Sequence, residues 1–298
     1  AWTWGHGEDG KLGLGHTYDT FEPTNVQGLS RSYIVSASGG SSHTAAVDDS
    51  GNLFTWGNGS FGRLGHSNEV SHGEPEMVMY FKRYCDHSGG TPFITQVACG
   101  SMHTLVVTNL GKLYSFGGGM YGKLGLGDEK NRLEPSPCLF LQNEKVMQIS
   151  TAMFHSVALT ASGNAFAFGF GGTLNSRFGL GKYTVGDKST FEVPETNVIS
   201  KPTKISNWPA VALQMVRSAE DINEVSYALT FTGENRDAEI DDGKKEAVDT
   251  NFGAFGALTA AEMIMLEAKI TSHTVIKVAT GKHHTLLLTY YGSMYAFG

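Results

Sequence analysis

Four histidines recur in one local setting: His43 precedes Thr44, His103 precedes Thr104, His155 precedes Ser156 and His284 precedes Thr285. Imidazoles bind zinc when three or four of them converge at about 2 Å from one point. These four stand at the same place in successive repeats, so a repeat architecture spreads them apart. Their expected role is structural, with each ring satisfying backbone groups at the start of a strand. Cys85, Cys99 and Cys138 are odd in number and widely spaced. They fit neither a disulfide framework nor a zinc pattern, which favours a reducing intracellular compartment, cytoplasmic or nuclear. No serine lies in a Gly-x-Ser-x-Gly elbow, and no cysteine and histidine share a recognisable catalytic setting. The glycine-rich stretches at Gly117-Gly118-Gly119 and Gly169-Phe170-Gly171-Gly172 lack the Gly-Lys-Ser/Thr ending of a phosphate loop. Neither an enzyme, a metal nor a cofactor is expected.

The elements that carry the histidines repeat. A glycine follows each by eight residues (Gly51, Gly111, Gly163, Gly292), and an aromatic-Gly pair ends six residues later (Trp56-Gly57, Phe116-Gly117, Phe168-Gly169, Phe297-Gly298). A glycine-rich tail then follows: Gly10-Lys11-Leu12-Gly13 after Trp4-Gly5, then Gly62-Arg63-Leu64-Gly65, Gly122-Lys123-Leu124-Gly125, and Phe178-Gly179-Leu180-Gly181. Five periods between Gly5 and Gly298 give a mean repeat of about 59 residues, near propeller-blade length. The fourth unit, in 205–258, is degenerate: Tyr227–Phe231 takes the place of the strand after the histidine. It carries an acidic insertion in 234–250, expected to be a solvated loop, and a Thr259–Glu262 capping box starts a short helix over 259–270.

Each unit reads as a small antiparallel sheet. The run after the histidine, such as Thr104–Thr108, is apolar on both faces; a glycine turn follows, and the aromatic-Gly strand returns beside it. A weaker strand precedes each histidine, as in 34–37, 94–98, 146–149 and 275–278. Such sheets bury their faces only by stacking around an axis, so the fold class is an all-β propeller occupying 1–298 as a single domain. The chain begins and ends in the same element, the aromatic-Gly strand. That predicts about five to six blades, as an incomplete arc or an irregular ring, and a piece of a larger protein.

The Gly-x-x-His-Thr start, the glycine turn, the aromatic-Gly strand end and the Gly-x-Leu-Gly tail together resemble the regulator of chromosome condensation family. That resemblance implies four-stranded blades in a seven-bladed parent. It also raises nucleotide exchange on a Ran-like small GTPase, light sensing and protein scaffolding as functions. Light sensing is disfavoured, because the chain has four tryptophans and no Gly-Trp-Arg-His-Thr motif. In exchange factors of the family, the two residues before the repeat histidine bring acids to the GTPase. Here those positions hold Ser41 and Ser42, Ser101 and Met102, Met153 and Phe154, and Lys282 and His283; only the degenerate unit offers acids, Glu220, Asp221 and Glu224.

These residues form the expected partner-binding set, because loops are free to vary where strands are committed to packing. A protein partner is expected, with a small GTPase as the alternative. The 22 basic and 29 acidic residues leave a net charge of −7, which argues against direct nucleic-acid binding. No apolar run reaches the ~20 residues of a membrane span. The sequence leaves the oligomeric state open.

Overall fold

The computed structural model describes residues 1–83, 93–171, 198–205 and 274–297 apart from 283, 291 and 293. The first sheet pairs β1 (Trp2–Gly5) with β2 (Thr20–Asn25). The second runs β3 (Ile34–Gly39), β4 (His43–Asp48), β5 (Leu53–Gly57) and β6 (His72–Met77). After the short helix α1 (Tyr80–Arg83), the third comprises β7 (Ile94–Cys99), β8 (His103–Thr108), β9 (Leu113–Gly117) and β10 (Arg132–Pro137). The fourth comprises β11 (Val146–Thr151), β12 (His155–Thr160), β13 (Ala165–Phe170) and β14 (Val198–Lys204). The fifth holds β15 (Val275–Thr280), β16 (Thr285–Thr289) and β17 (Met294–Phe297). Every pairing is antiparallel, and every histidine strand is followed by its aromatic-Gly partner.

The apolar cores lie between sheets. Ala45, Val47 and Leu53 pack with Ile94, Val97 and Phe116; Leu105, Val107 and Leu113 pack with Val146, Ile149 and Phe168. This is the arrangement of propeller blades, in which each sheet buries its faces against its neighbours. The glycine tails cross these junctions. Gly65 and Gly125 have φ of +78° and +71°, and a Cβ on either would stand 2.9 Å from the ring of Phe116 or Phe168 in the next sheet. Only glycine fits both the left-handed backbone and that close approach.

One step departs from the expected period. Val275 N donates to Gly163 O, as Ile94 N does to Gly51 O and Val146 N does to Gly111 O. Val275, Val278 and Leu287 share a core with Val157, Leu159 and Ala167. The fourth and fifth sheets are therefore direct neighbours, and the count of five periods becomes four steps between five described sheets. The degenerate unit, the acidic insertion and the helix at 259–270 lie outside the described residues. Among the described residues no pairing joins the first sheet to the last, so the described sheets form an open arc.

Candidate functional site

The histidines establish the geometry at each junction. His43 Nε2 lies 2.8 Å from Thr104 Oγ1 in the next sheet, His103 Nε2 2.9 Å from Ser156 Oγ, and His155 Nε2 3.0 Å from Thr285 Oγ1. The Thr104 hydroxyl donates to Arg63 O at 2.8 Å, and the Ser156 hydroxyl donates to Lys123 O at 2.9 Å. Since each hydroxyl has a single proton, already committed, His43 and His103 must be the donors through Nε2–H. The expectation that the rings satisfy backbone groups is corrected. They reach side-chain hydroxyls across the junction, because the post-histidine Thr or Ser is the next polar group in the stack. His155 and Thr285 are 130 residues apart in sequence, whereas His43 and Thr104 are 61 apart. Burial, with the charge of Arg63 adding to it, lowers His43 to about 3. Burial and then the charge of Lys123 hold His103 well below its ordinary value. His43 and His103 are neutral structural donors, and the three rings, each with its own partner, converge on no common point.

Directly before each histidine the backbone is pinned in the same way. Asn58 N donates to Ser42 O at 2.8 Å, Gly118 N to Met102 O at 2.7 Å, and Phe170 N to Phe154 O at 2.8 Å. The side chains on that fixed backbone differ. Beside them, the tight turns at Glu8–Gly10, Ser60–Gly62 and Met120–Gly122 hold Asp9, Phe61 and Tyr121 at φ of 62°. A non-glycine residue held there costs of order 1–3 kcal/mol, a strain that clusters at functional surfaces.

The junctions therefore present different chemistry. Asn58 Nδ2 donates to Asp9 Oδ1 at 3.1 Å near Ser42, a polar set. At the next junction Phe61, Met102 and Met120 line a cleft of about 350 Å³ with Lys123, Glu129 and Asn131. At the third, the Tyr121 ring centroid lies 5.4 Å from Phe154 and 4.9 Å from Phe170. Lys123 Nζ sits 6.0 Å from the centre of the Phe154 ring, within cation–π range. Lys123 is 1% exposed, and burial followed by the charge of Arg63 lowers it to about 8. Arg63 is held by Ser60 O at 3.0 Å and Ser101 O at 3.2 Å.

Of the expected contact residues, Ser41 and Lys282 are exposed, and Ser42, Met102, Met153 and Phe154 are half-buried. Ser101 is buried, with its carbonyl committed to Arg63, so it belongs to the frame. Glu220, Asp221, Glu224 and His283 lie outside the described residues. Sequence reasoning missed Phe61, Tyr121 and the buried Lys123 beside them, as well as Phe170. The first three stand inside the glycine-tail motif and read there as marks of the fold. Cys99 and Cys138 are buried free thiols, pushed by burial up to about 12 and about 11, outside the range of a reactive thiolate.

Residues 1–47, 50–107 and 111–159, over half of the chain, match the family described as the regulator of chromosome condensation (RCC1) repeat. The chain belongs to that family. Among curated RCC1-repeat relatives, it is 36% identical to the ultraviolet-B receptor UVR8 of Arabidopsis thaliana over 168 residues, covering 56% of this chain and 36% of the receptor. It is 38% identical to human E3 ubiquitin-protein ligase HERC2 over 173 residues, 57% of this chain and 3% of the ligase. With the secretion-regulating guanine nucleotide exchange factor of Bos taurus it shares 35% over 169 residues, 56% of this chain and 35% of that protein. The matched stretches thus span about a third or less of these relatives. Among solved structures, human WBSCR16 matches 100% of this chain and 56% of its own at TM-score 0.62 and 19% identity. Prp20p of Saccharomyces cerevisiae matches 99% and 53% at TM-score 0.59 and 18% identity. At those identities the structures establish the RCC1-type propeller fold alone.

Proposed function

We propose that the face carrying the pre-histidine loops is a docking surface for another protein, and that residues 1–298 serve as one non-enzymatic interaction propeller. One observation carries this reading: the same backbone hydrogen bond fixes Ser42, Met102 and Phe154 while their side chains run from polar to thioether to aromatic. Strained Phe61 and Tyr121 flank them. Aromatic and methionine side chains around a desolvated cation suit the centre of an interface. Lys123 forms no ion pair among the described residues, and, buried beside the Phe154 ring, it lends the patch a positive charge from below. The net charge of −7 favours a protein over a nucleic acid. The buried free thiols favour an intracellular setting. No helix among the described residues is long and apolar enough to cross a membrane. Affinity capture with the chain, repeated with Met102→Ala, Phe154→Ala and Lys282→Ala combined, tests the surface. A partner that tolerates all three substitutions together eliminates it.

The similarity to a secretion-regulating guanine nucleotide exchange factor supports a second reading, exchange on a Ran-like GTPase. Only the entry loop of the degenerate unit brings acids able to compete with the nucleotide's phosphates and magnesium: Glu220, Asp221 and Glu224. Release of a fluorescent nucleotide from Ran-like GTPases, accelerated by the chain and lost in Asp221→Ala, would place exchange first.

A further inference from the structure

The repeats serve as controls for one another, and a single blade departs from them at three separate positions. After Gly13, Gly65 and Gly125 come Leu14, His66 and Leu126. Leu14 and Leu126 pack against apolar clusters, while His66 is a half-buried imidazole at the same place. On the outer strands, Gly5, Gly57 and Gly117 pair with Thr20, His72 and Arg132. In the same registers Thr3, Thr55 and Ser115 pair with Thr24, Glu76 and Ser136. The three departures converge, for His66, His72 and Glu76 each bring a ligand atom within 4.8 Å of the other two.

The hydrogen bonds bear on which ring nitrogens could ligate an ion. The Thr55 hydroxyl donates to Leu64 O at 2.7 Å, as Thr3 does to Leu12 O and Ser115 to Leu124 O. Its 3.0 Å contact with His66 Nε2 therefore has the ring as donor, which fixes the tautomer and leaves the lone pair on Nδ1. His72 Nδ1 lies 2.6 Å from Glu76 Oε2, a proton-bridged pair in which a cation could take the place of the shared proton and be held by both atoms.

From this geometry we infer that His66, His72 and Glu76 form a zinc-type divalent cation site at the outer edge of the second blade. Two imidazoles and a carboxylate are a zinc donor set, with a fourth position left for water. Tetrahedral ligands at about 2.0–2.1 Å from zinc stand about 3.4 Å apart. Glu76 is exposed, so its side chain has room to turn towards that spacing. The ion would tie the glycine tail to β6 where β6 meets the first sheet's own tail, at Gly15 N to Gly73 O, 3.0 Å. His66 and His72 are not among the repeat histidines, so their convergence appears only once the tail folds back along β6.

The test uses the 298-residue chain stripped with a chelator and titrated with Zn²⁺ by calorimetry, with Co²⁺ absorption as the reporter of tetrahedral coordination. The substitutions are His66→Leu, His72→Thr and Glu76→Ser, singly and combined. Each installs a residue that a sister repeat already carries, and circular dichroism checks the fold. The wild-type chain should take up one equivalent that the triple variant does not, and each single variant should weaken binding about tenfold or more. Zn²⁺ should raise the melting temperature of the wild-type chain only. Equal uptake by wild type and triple variant, or no uptake by the wild type, overturns the site. Should His66→Leu misfold, His72→Thr carries the same decision by itself.

Discussion

At each junction the histidine and the residue just before it stand one position apart, yet opposite constraints govern them. His43, His103 and His155 are buried and each meets a hydroxyl of the next sheet within 3.0 Å. Ser42, Met102 and Phe154 hang on backbone that is equally fixed, but their side chains reach the face and share no chemistry. The lower layer repeats because a misplaced donor there strands two polar groups in a dry interior. On the proposed reading, the upper layer varies because only a partner imposes a requirement on it. Identity then marks the load between blades, and the difference beside it marks the proposed recognition surface.

The strongest way to break that distinction is to remove a hydroxyl from the lower layer. Thr104→Val leaves the His43 Nε2–H and Arg63 O unpaired in the junction, and should cost roughly 2–3 kcal/mol in denaturant unfolding. Thr104→Ser keeps the oxygen and should cost clearly less. If valine is tolerated as well as serine, the histidine bonds do not hold the blades together.

Acid should find the same layer. The folded-state pKa of His43 lies near 3, below the ordinary histidine value of about 6.5. The stability from its neutral ring is complete above about pH 6.5 and is lost as the pH falls from there towards about 3. His103 acts in the same direction. Melting temperatures should fall across that window, and His43→Leu should flatten the slope. A profile unchanged by that substitution assigns acid unfolding to other groups.

Lys123 joins the two layers, with its carbonyl in the lower and its ammonium beneath Phe154 in the upper. Its pKa of about 8 lies below the ordinary lysine value of about 10.4, so the fold disfavours the protonated form. Stability should therefore rise with pH between about 8 and 10.4. Lys123→Met should flatten that rise and melt higher at neutral pH, while weakening an acidic partner. A partner insensitive to Lys123→Met would place recognition away from the third junction.

The lower layer was largely legible in the sequence because its residues are bound to one another at fixed offsets: histidine, turn glycine, aromatic-Gly pair. Three strands of each blade followed from that pattern. The outer strand was not read from it, although Glu22-Pro23, Glu74-Pro75 and Glu134-Pro135 mark it in three units; proline suits such an edge. The hydroxyl partner of each histidine was hidden because it belongs to the next unit, and 130 residues separate the last pair. The upper layer was half legible. Met102 and Phe154 stood out by varying, but Phe61 and Tyr121 join them only through backbone turns that the sequence disguises as a glycine motif.

The smallest effect on stability should come from the upper layer, and that makes it the sharpest test. Met102→Ser installs the residue that the preceding junction carries at Ser42. The bond from Gly118 N to Met102 O is made by backbone and survives the change. Met102 is half-buried beside a cleft, so the unfolding free energy should move by no more than about 1 kcal/mol. Binding should respond differently, since the few side chains that dominate an interface cluster at its centre and contribute about 2 kcal/mol or more each. Parallel measurements of denaturation midpoint and captured-partner affinity separate the two outcomes. Stability intact with affinity lost marks Met102 as presented to a partner. Stability lost by 2 kcal/mol or more would instead make Met102 a plug of the junction, and the division between the layers would fail at that position.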